Sequence, residues 1–295
     1  MSLFAVIDIG GTSIKYGVIN EEGILIETND RDTEAYKGGL SIMEKVKEII
    51  YKLMEKNKLE GIAISTAGMV SPEEGKIVYA GPTIPNYTGV CVKEILEEEF
   101  KIPCFVENDV NCAALGEFSY GAGKGSHSMA CLTIGTGIGG ALILNGRVFH
   151  GFTNSAGEIG YMIVRGEQIQ EIASTTALVR KVALRKGLHE SDINGRYVLD
   201  NYEKGDLICK EEVYNLADNL ALALSNIAYL INPEVIVLGG GIMAREEVFR
   251  PLIEEALKKY LIDSVYKNTK IAFAELKNTA GMKGAFYNFK LNYNK

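Results

Sequence analysis

The chain has 295 residues, 47% of them apolar and 23% charged, and a formal net charge of −7. That length accommodates two domains, and the charge argues against a nucleic-acid or membrane-surface partner, either of which wants a basic face. No apolar run approaches the ~20 residues of a transmembrane helix, and the N-terminus enters a strand with no leader pattern, so a cytoplasmic protein is expected.

In chain order, a strand-like run at Phe4–Ile7 leads into Asp8-Ile9-Gly10-Gly11-Thr12, and a second strand follows at Ile14–Ile19. Asn20 to Gly23 closes a turn before a third strand at Ile24–Thr28. Glycines in the first turn leave backbone N–H groups unobstructed by a Cβ, and Thr12 adds a hydroxyl, which is how a loop holds a phosphate. Helical periodicity over Ser41–Lys58 precedes a strand at Gly61–Ser65, which ends at Ser65-Thr66-Ala67-Gly68. The loop Pro82-Thr83-Ile84-Pro85-Asn86-Tyr87 is stiffened by its prolines and carries an amide. A helix at Val92–Phe100 contains Glu97-Glu98-Glu99, read as a solvated face.

A strand at Cys104–Glu107 then gives way to a helix at Asp109–Tyr120. Ligands in open α/β sheets bind at the carboxyl ends of strands. Asp109 is thus either an N-cap or first-turn acid with no further role, or a carboxylate placed to accept the proton of a hydroxyl attacking phosphorus. The following Gly121-Ala122-Gly123-Lys124-Gly125-Ser126 fails as a Walker A loop, because its first glycine would have to stand where Phe118 does.

The pattern restarts with a strand at Ser128–Ile134, then Gly135-Thr136-Gly137 and a strand at Ala141–Leu144. Gly135, Gly137 and Gly140 satisfy the G-x-G-x-x-G spacing of a dinucleotide turn, but that reading requires a helix next. A strand and the hairpin signal Asn145-Gly146 follow instead, so a phosphate-holding hairpin or a plain turn fits better. The second strand–glycine–strand unit makes an internal duplication. Glu158 lies between glycines in Ala156-Gly157-Glu158-Ile159-Gly160-Tyr161; acids and amides on such loops suit the hydroxyls of a polyol. Helices are predicted at Ser174–Lys186, Glu211–Ile231, Ala244–Tyr260 and Gly281–Leu291, with strands at Val235–Leu238 and Ile271–Ala274. Gly239-Gly240-Gly241, after the first of these strands, can admit an anion or a flat base to the backbone. The cysteines, Cys91, Cys104, Cys112, Cys131 and Cys209, are odd in number and scattered, which fits reduced thiols.

Together these segments resemble the ASKHA sugar kinases and, within them, the ROK family of repressors, uncharacterised reading frames and sugar kinases. The carriers are DIGGTSIKYGVI (8–19), ENDVNCAALGE (107–117), LTIGTGIGGALI (132–143), AGEIGY (156–161) and VLGGGI (237–242). The resemblance implies a two-lobed actin-like (ribonuclease H-like) α/β fold, with duplicated α/β lobes around a cleft that takes sugar and ATP. It implies a small lobe over 1–112 completed by helix 281–295, a large lobe over 113–280, and a homodimer.

By the same match, Asp8 orients Mg²⁺-bound phosphates, while Gly10, Gly11, Thr12 and Lys15 line them. Thr136 and Gly137 face the phosphates from the second lobe, and Gly239, Gly240 and Gly241 lie along the adenosine. Asp109 falls on the catalytic base. Gly68, Asn86, Asn108, Glu158, Tyr161 and Gln170 fall on the sugar side, together with Asp109.

Departures matter too. The family pattern has histidine where this chain has Tyr161, then a cysteine-rich zinc segment, but Met162 to Gln170 contains no cysteine or histidine. A zinc site needs about four N or S ligands, so no zinc is expected. A sugar-binding glutamate of the family falls on Gln170, with Glu171 one residue late. The expected activity is ATP- and Mg²⁺-dependent phosphorylation of a sugar 6-hydroxyl. Gly75–Tyr87 and Ala173–Leu178 look most like N-acetylmannosamine kinases of the zinc-free branch. Glucokinase and β-glucoside kinase are the alternatives. A sugar-responsive repressor is disfavoured, since only Met1-Ser2-Leu3 precede the first strand.

Overall fold

A computed structural model describes residues 2–293; Met1 and residues 294–295, which the sequence-based bounds of the first lobe include, lie outside the described residues. The chain divides into two compact units, and the first takes in 2–120, 150–155 and 278–293.

Unit 1 runs β1 (Leu3–Ile9), β2 (Ser13–Asn20), β3 (Leu25–Asp32), α1 (Gly39–Met54), β4 (Leu59–Thr66), the small hairpin β5 (Met69–Ser71) and β6 (Lys76–Tyr79), α2 (Val92–Phe100), β7 (Cys104–Asn108) and α3 (Asp109–Tyr120). Its five-stranded sheet has the order β3-β2-β1-β4-β7. The first three strands form an antiparallel meander, and β1, β4 and β7 are parallel. Successive side chains of a strand face opposite sides. On β1, Ala5, Ile7 and Ile9 pack with the apolar stripes of α1 and α2. Phe4 and Val6 face the other way, into a core with Cys112 of α3 and Met282, Phe286 and Phe289 of the C-terminal helix (Ala280–Tyr293). By that alternation Asp8 belongs to the second face. Strand β3 outruns its apolar pattern, because its final residues, Asn29 to Asp32, pair with β2 while their side chains meet solvent.

The C-terminal helix lies against α3 at glycine distances. A Cβ on Gly284 would stand 1.6 Å from the Cys112 carbonyl oxygen, and one on Gly116 2.4 Å from that of Ala280.

Unit 2 runs β8 (Ser128–Ile134), β9 (Ile138–Leu144), β10 (Arg147–Val148), the hairpin β11 (Ile163–Val164) and β12 (Glu167–Gln168), α4 (Ile169–Ala173), α5 (Thr175–Lys186), α6 (Gly195–Glu203), α7 (Leu207–Leu230), β13 (Val235–Gly239), α8 (Glu246–Tyr260), α9 (Asp263–Tyr266) and β14 (Lys270–Phe273). The order β10-β9-β8-β13-β14 repeats that of unit 1, with an antiparallel meander followed by parallel strands. The duplicated α/β architecture inferred from sequence is therefore present. Asn145 and Gly146, with φ of 53° and 74°, make the anticipated turn between β9 and β10.

The helix expected at Ser174–Lys186 is α5, and Ser174 is its N-cap: it adopts extended dihedrals and its side chain accepts from the Ala177 N–H. Helix α6, capped by Asn194, has no counterpart among the helices predicted from periodicity. Four cysteines are buried, Cys91 is half-buried, and all five are free thiols. Among the described residues no helix is long and apolar enough to cross a membrane.

Candidate active site

Residues at the carboxyl ends of β1, β4 and β7, with Lys15 near the start of antiparallel β2, form a row fixed by register. Asp8 pairs with Lys15 on one side and Ser65 on the other, and Ser65 pairs with Glu107. All four therefore share the face beneath the C-terminal helix. Ser65 donates its hydroxyl to Asp8 Oδ1 at 2.6 Å. Gly281 makes the helix fit: a Cβ there would sit 2.7 Å from Asp8 Cγ. Burial raises the Asp8 pKa, against the Ser65 hydrogen bond and the Lys15 charge, which lower it.

Asp109 opens α3 immediately after β7. Burial and the neighbouring Asp8 charge push its carboxyl up to about 6, outweighing hydrogen bonds that lower it. The N-cap role weighed for Asp109 falls to Asn108, whose Oδ1 accepts from the Val110 and Asn111 N–H groups at 2.9 and 3.1 Å. Asn108 Nδ2 donates to Gly68 O at 2.9 Å and Asp109 Oδ1 at 3.0 Å. Asn108, Asp109 and Gly68 are thus gathered at one point.

The turn Gly10–Thr12 is closed by Gly10 N–H to Ser13 O and braced by Thr33, whose hydroxyl donates to Gly10 O and whose N–H donates to Thr12 O. The N–H groups of Gly11 and Thr12, both exposed residues, have no intramolecular acceptor among the described residues. Lys15 Nζ approaches Asn278 Oδ1 at 3.4 Å. Asn86 stands apart, exposed with φ 53°, on a loop tethered by the Tyr87 hydroxyl 2.8 Å from Thr66 Oγ1.

Unit 2 gathers a second set. Gly135 N–H donates to Gly137 O, and exposed Thr136 leaves its N–H without an intramolecular acceptor among the described residues. Gly240, at φ 104°, lies so close to Ile134 that a Cβ would come within 2.1 Å of its carbonyl oxygen. Gly239–Gly241 thereby abut the end of β8. Gln170 points inward, its Oε1 3.2 and 3.0 Å from where Cβ atoms on Gly137 and Gly160 would be. Glu171 instead turns to solvent and pairs with Arg180 at 3.3 Å. Of the two candidates, Gln170 is the one beside the glycine turn. Glu158 precedes a 3₁₀ turn that Tyr161 ends; partial burial raises the Glu158 carboxyl, and Tyr161 is 60% exposed.

The Met162–Gln170 segment folds into the β11–β12 hairpin and the first two residues of α4. At its tip Arg165 donates to Asp218 and Asn219 of α7 and to the Tyr260 hydroxyl of α8. Among the described residues no group of three or more His, Cys, Asp or Glu side chains is arranged to hold a metal ion. Sequence reading gave no role to Ser65, Glu107 or His150, which bonds Glu107; their approach rests on strand register and long-range pairing that no local pattern carries.

The ROK family model matches residues 4–291, and the chain belongs to that family. It is 34% identical to a β-glucoside kinase of Listeria innocua, covering 97% of this chain and 96% of that one. A solved Listeria monocytogenes structure, provisionally assigned as an N-acetylmannosamine kinase, superposes with TM-score 0.88 at 32% identity, over 99% of this chain and 100% of that chain. A Streptomyces griseus ROK glucokinase, solved with glucose and AMPPNP, gives TM-score 0.81 at 27% identity, over 96% and 98%. The fold is the two-lobed actin-like fold of these sugar kinases.

Proposed function

We propose that this member of the ROK family is an ATP-dependent kinase that phosphorylates the 6-hydroxyl of a hexose or N-acetylhexosamine, with N-acetylmannosamine as the preferred acceptor. The observation that carries the reading is Asp109, a half-buried carboxylate where β7 meets α3, hydrogen-bonded beside Asn108 and Gly68, whose pKa, about 6, suits a general base near neutral pH.

In the reaction the sugar hydroxyl oxygen attacks the γ-phosphorus, its proton passes to the Asp109 carboxylate, and ADP leaves. Phosphoryl transfer asks the protein mainly for positioning and charge stabilisation. The Gly11 and Thr12 N–H groups, Lys15 and the Thr136–Gly137 turn are the groups we assign to the phosphates. Gly239–Gly241 are assigned to the nucleoside. Asn86, Asn108, Gly68, Glu158, Tyr161 and Gln170 are assigned to the sugar.

The donor set at Asp8 suits a divalent cation, because a second carboxylate raises the local negative charge and Lys15 is the cation acting against it. Asp8 would hold Mg²⁺ through phosphates or water. When bound, that ion supplies neutralisation of the developing phosphate charge.

The choice of sugar rests on the inward Gln170 amide, which can partner an acetamido group, and on the solved neighbour assigned to N-acetylmannosamine. The β-glucoside kinase relative favours a second reading, a β-glucoside acceptor. ADP release with N-acetylmannosamine, glucose and cellobiose in competition at limiting ATP tests both. N-Acetylmannosamine is expected to have the highest kcat/KM. Preference for cellobiose or glucose overturns the sugar assignment, and no turnover with any sugar overturns the kinase reading.

A further inference from the structure

Glu107 has no exposed surface, and the transfer described above does not use it. Three donors converge on its carboxylate. Oε1 accepts from the Asn108 N–H at 2.8 Å and from Asn111 Nδ2 at 2.9 Å. Oε2 lies 2.7 Å from Nε2 of His150. A carboxylate offers acceptor sites only, so the network assigns the proton of that pair to Nε2.

His150 reaches Glu107 from a segment that has little else to hold it. Residues 150–155 follow β10 in the chain, yet their contacts place them in unit 1. Gly151 and Asn154 adopt φ of 71° and 60°, Phe152 is fully exposed, and the Thr153 and Ser155 hydroxyls bond each other. Among the described residues, the His150–Glu107 bond is the one hydrogen bond joining this segment to the rest of unit 1. Beyond Glu107 the bonds continue toward the reacting centre, since Asn108 caps α3 and donates to Asp109 Oδ1.

We propose that His150 is a positioning residue for Asp109. It fixes the Glu107 carboxylate; Glu107 fixes the Asn108 backbone and the Asn111 amide; these hold the first turn of α3 and the Asp109 carboxylate in place. The inference rests on Asp109 being the base. A fully buried carboxylate that loses one of its donors must find another or rotate, and either change moves the groups bonded to its other oxygen.

The test compares His150→Leu, which has no donor, with His150→Gln, whose amide restores one. His150→Asn, too short to reach, replaces the Leu variant if that one does not fold. The donor-less variant is expected to lose kcat roughly 10–100-fold, as small displacements of a positioned group do, with KM for ATP within about twofold. Amide hydrogens in 104–112 should exchange roughly tenfold faster, while those of 163–173 stay unchanged. His150→Gln should return both readouts most of the way to wild type. Wild-type kcat and exchange in the donor-less variant overturn the proposal, as does a Gln variant no better than it. If the wild-type protein phosphorylates no sugar, the kinase reading falls, while the exchange comparison still decides whether His150 orders this turn.

Discussion

Asp8-Ile9-Gly10-Gly11-Thr12 ends the central strand of unit 1, and Thr133-Ile134-Gly135-Thr136-Gly137 ends that of unit 2. The strand orders are the same and both turns are closed by the first glycine's N–H. The rows that run sideways from them differ. From Asp8 the register passes to Lys15, Ser65 and Glu107; from Thr133 it passes to Gly139 and Gly239. One copy of the backbone thus carries the ionisable groups, on the face beneath a helix that Gly281 lets in. The other carries glycines, which let the Gly240 turn close on Ile134. The same strand–glycine–strand turn thus occurs twice, with carboxylates in the row beside one copy and glycines beside the other.

The sharpest break of that asymmetry is Asp109→Asn, expected to lower kcat roughly 10²–10⁴-fold, the usual worth of a positioned base. Stability should move the other way. A carboxyl raised from 3.8 to about 6 costs the fold more to ionise than it costs the unfolded chain. Its favourable contribution exists at low pH and is lost as pH rises from 3.8 through 6. At pH 8 the Asn variant should therefore gain on the order of 1–2 kcal/mol in urea unfolding. Near-wild-type turnover would return Asp109 to a first-turn structural role.

Packing divides the units as well. Gly284→Ala would place a methyl 1.6 Å from the Cys112 carbonyl oxygen, where only backbone movement relieves the clash. It should cost about 2–4 kcal/mol. Gly187→Ala in unit 2, with φ 66° and nothing within 4 Å, should cost about 1 kcal/mol from backbone strain alone. Equal losses in urea titrations would contradict the close C-terminal-helix packing that encloses Asp8.

Much of this was legible in the sequence, because it is local. Two apolar runs bracketing glycines gave both hairpins, and Asn145-Gly146 gave the next turn. What escaped was decided at long range or by capping. Ser65 meets Asp8 from 57 positions away, and Glu107 meets His150 from 43; no periodicity in one strand reports its register with another. Helix α6 begins at a glycine and owes its start to the Asn194 cap, and its nine residues bury only Gly195, Val198 and Leu199, so the apolar repeat there is short. The same capping logic favoured Asp109 in sequence, but the backbone turned one residue earlier and gave the cap to Asn108.

The two turns can be compared directly through Gly11→Ala and Gly135→Ala. A Cβ at either position meets nothing within 4 Å, and neither residue has positive φ, so melting temperatures should stay close to wild type. If both backbones receive phosphates, each methyl blocks that approach, and KM for ATP should rise roughly tenfold in both variants, the worth of one charge-assisted hydrogen bond. A rise in only one variant would mean the duplicated turn is functional in a single unit.

The smallest effect isolates how the two carboxylates speak to each other. With Asp109 as base, kcat/KM should fall about tenfold per pH unit below its pKa, since the protonated carboxyl cannot accept the hydroxyl proton. In the free protein that midpoint lies at about 6, with burial the larger cause and Asp8 the second. Asp8→Asn removes a like charge, which favours the ionised form of Asp109 and lowers its pKa. Because burial remains, the value should stop short of 3.8. Carboxyl-carbon NMR titration reads this without turnover, so a loss of activity in the variant does not obscure it. A cation held at Asp8 through water would act in the same direction, so Mg²⁺ added without ATP should also move the wild-type midpoint down. An Asp109 midpoint that stays put in Asp8→Asn would mean the two acids do not interact, and burial alone sets the base.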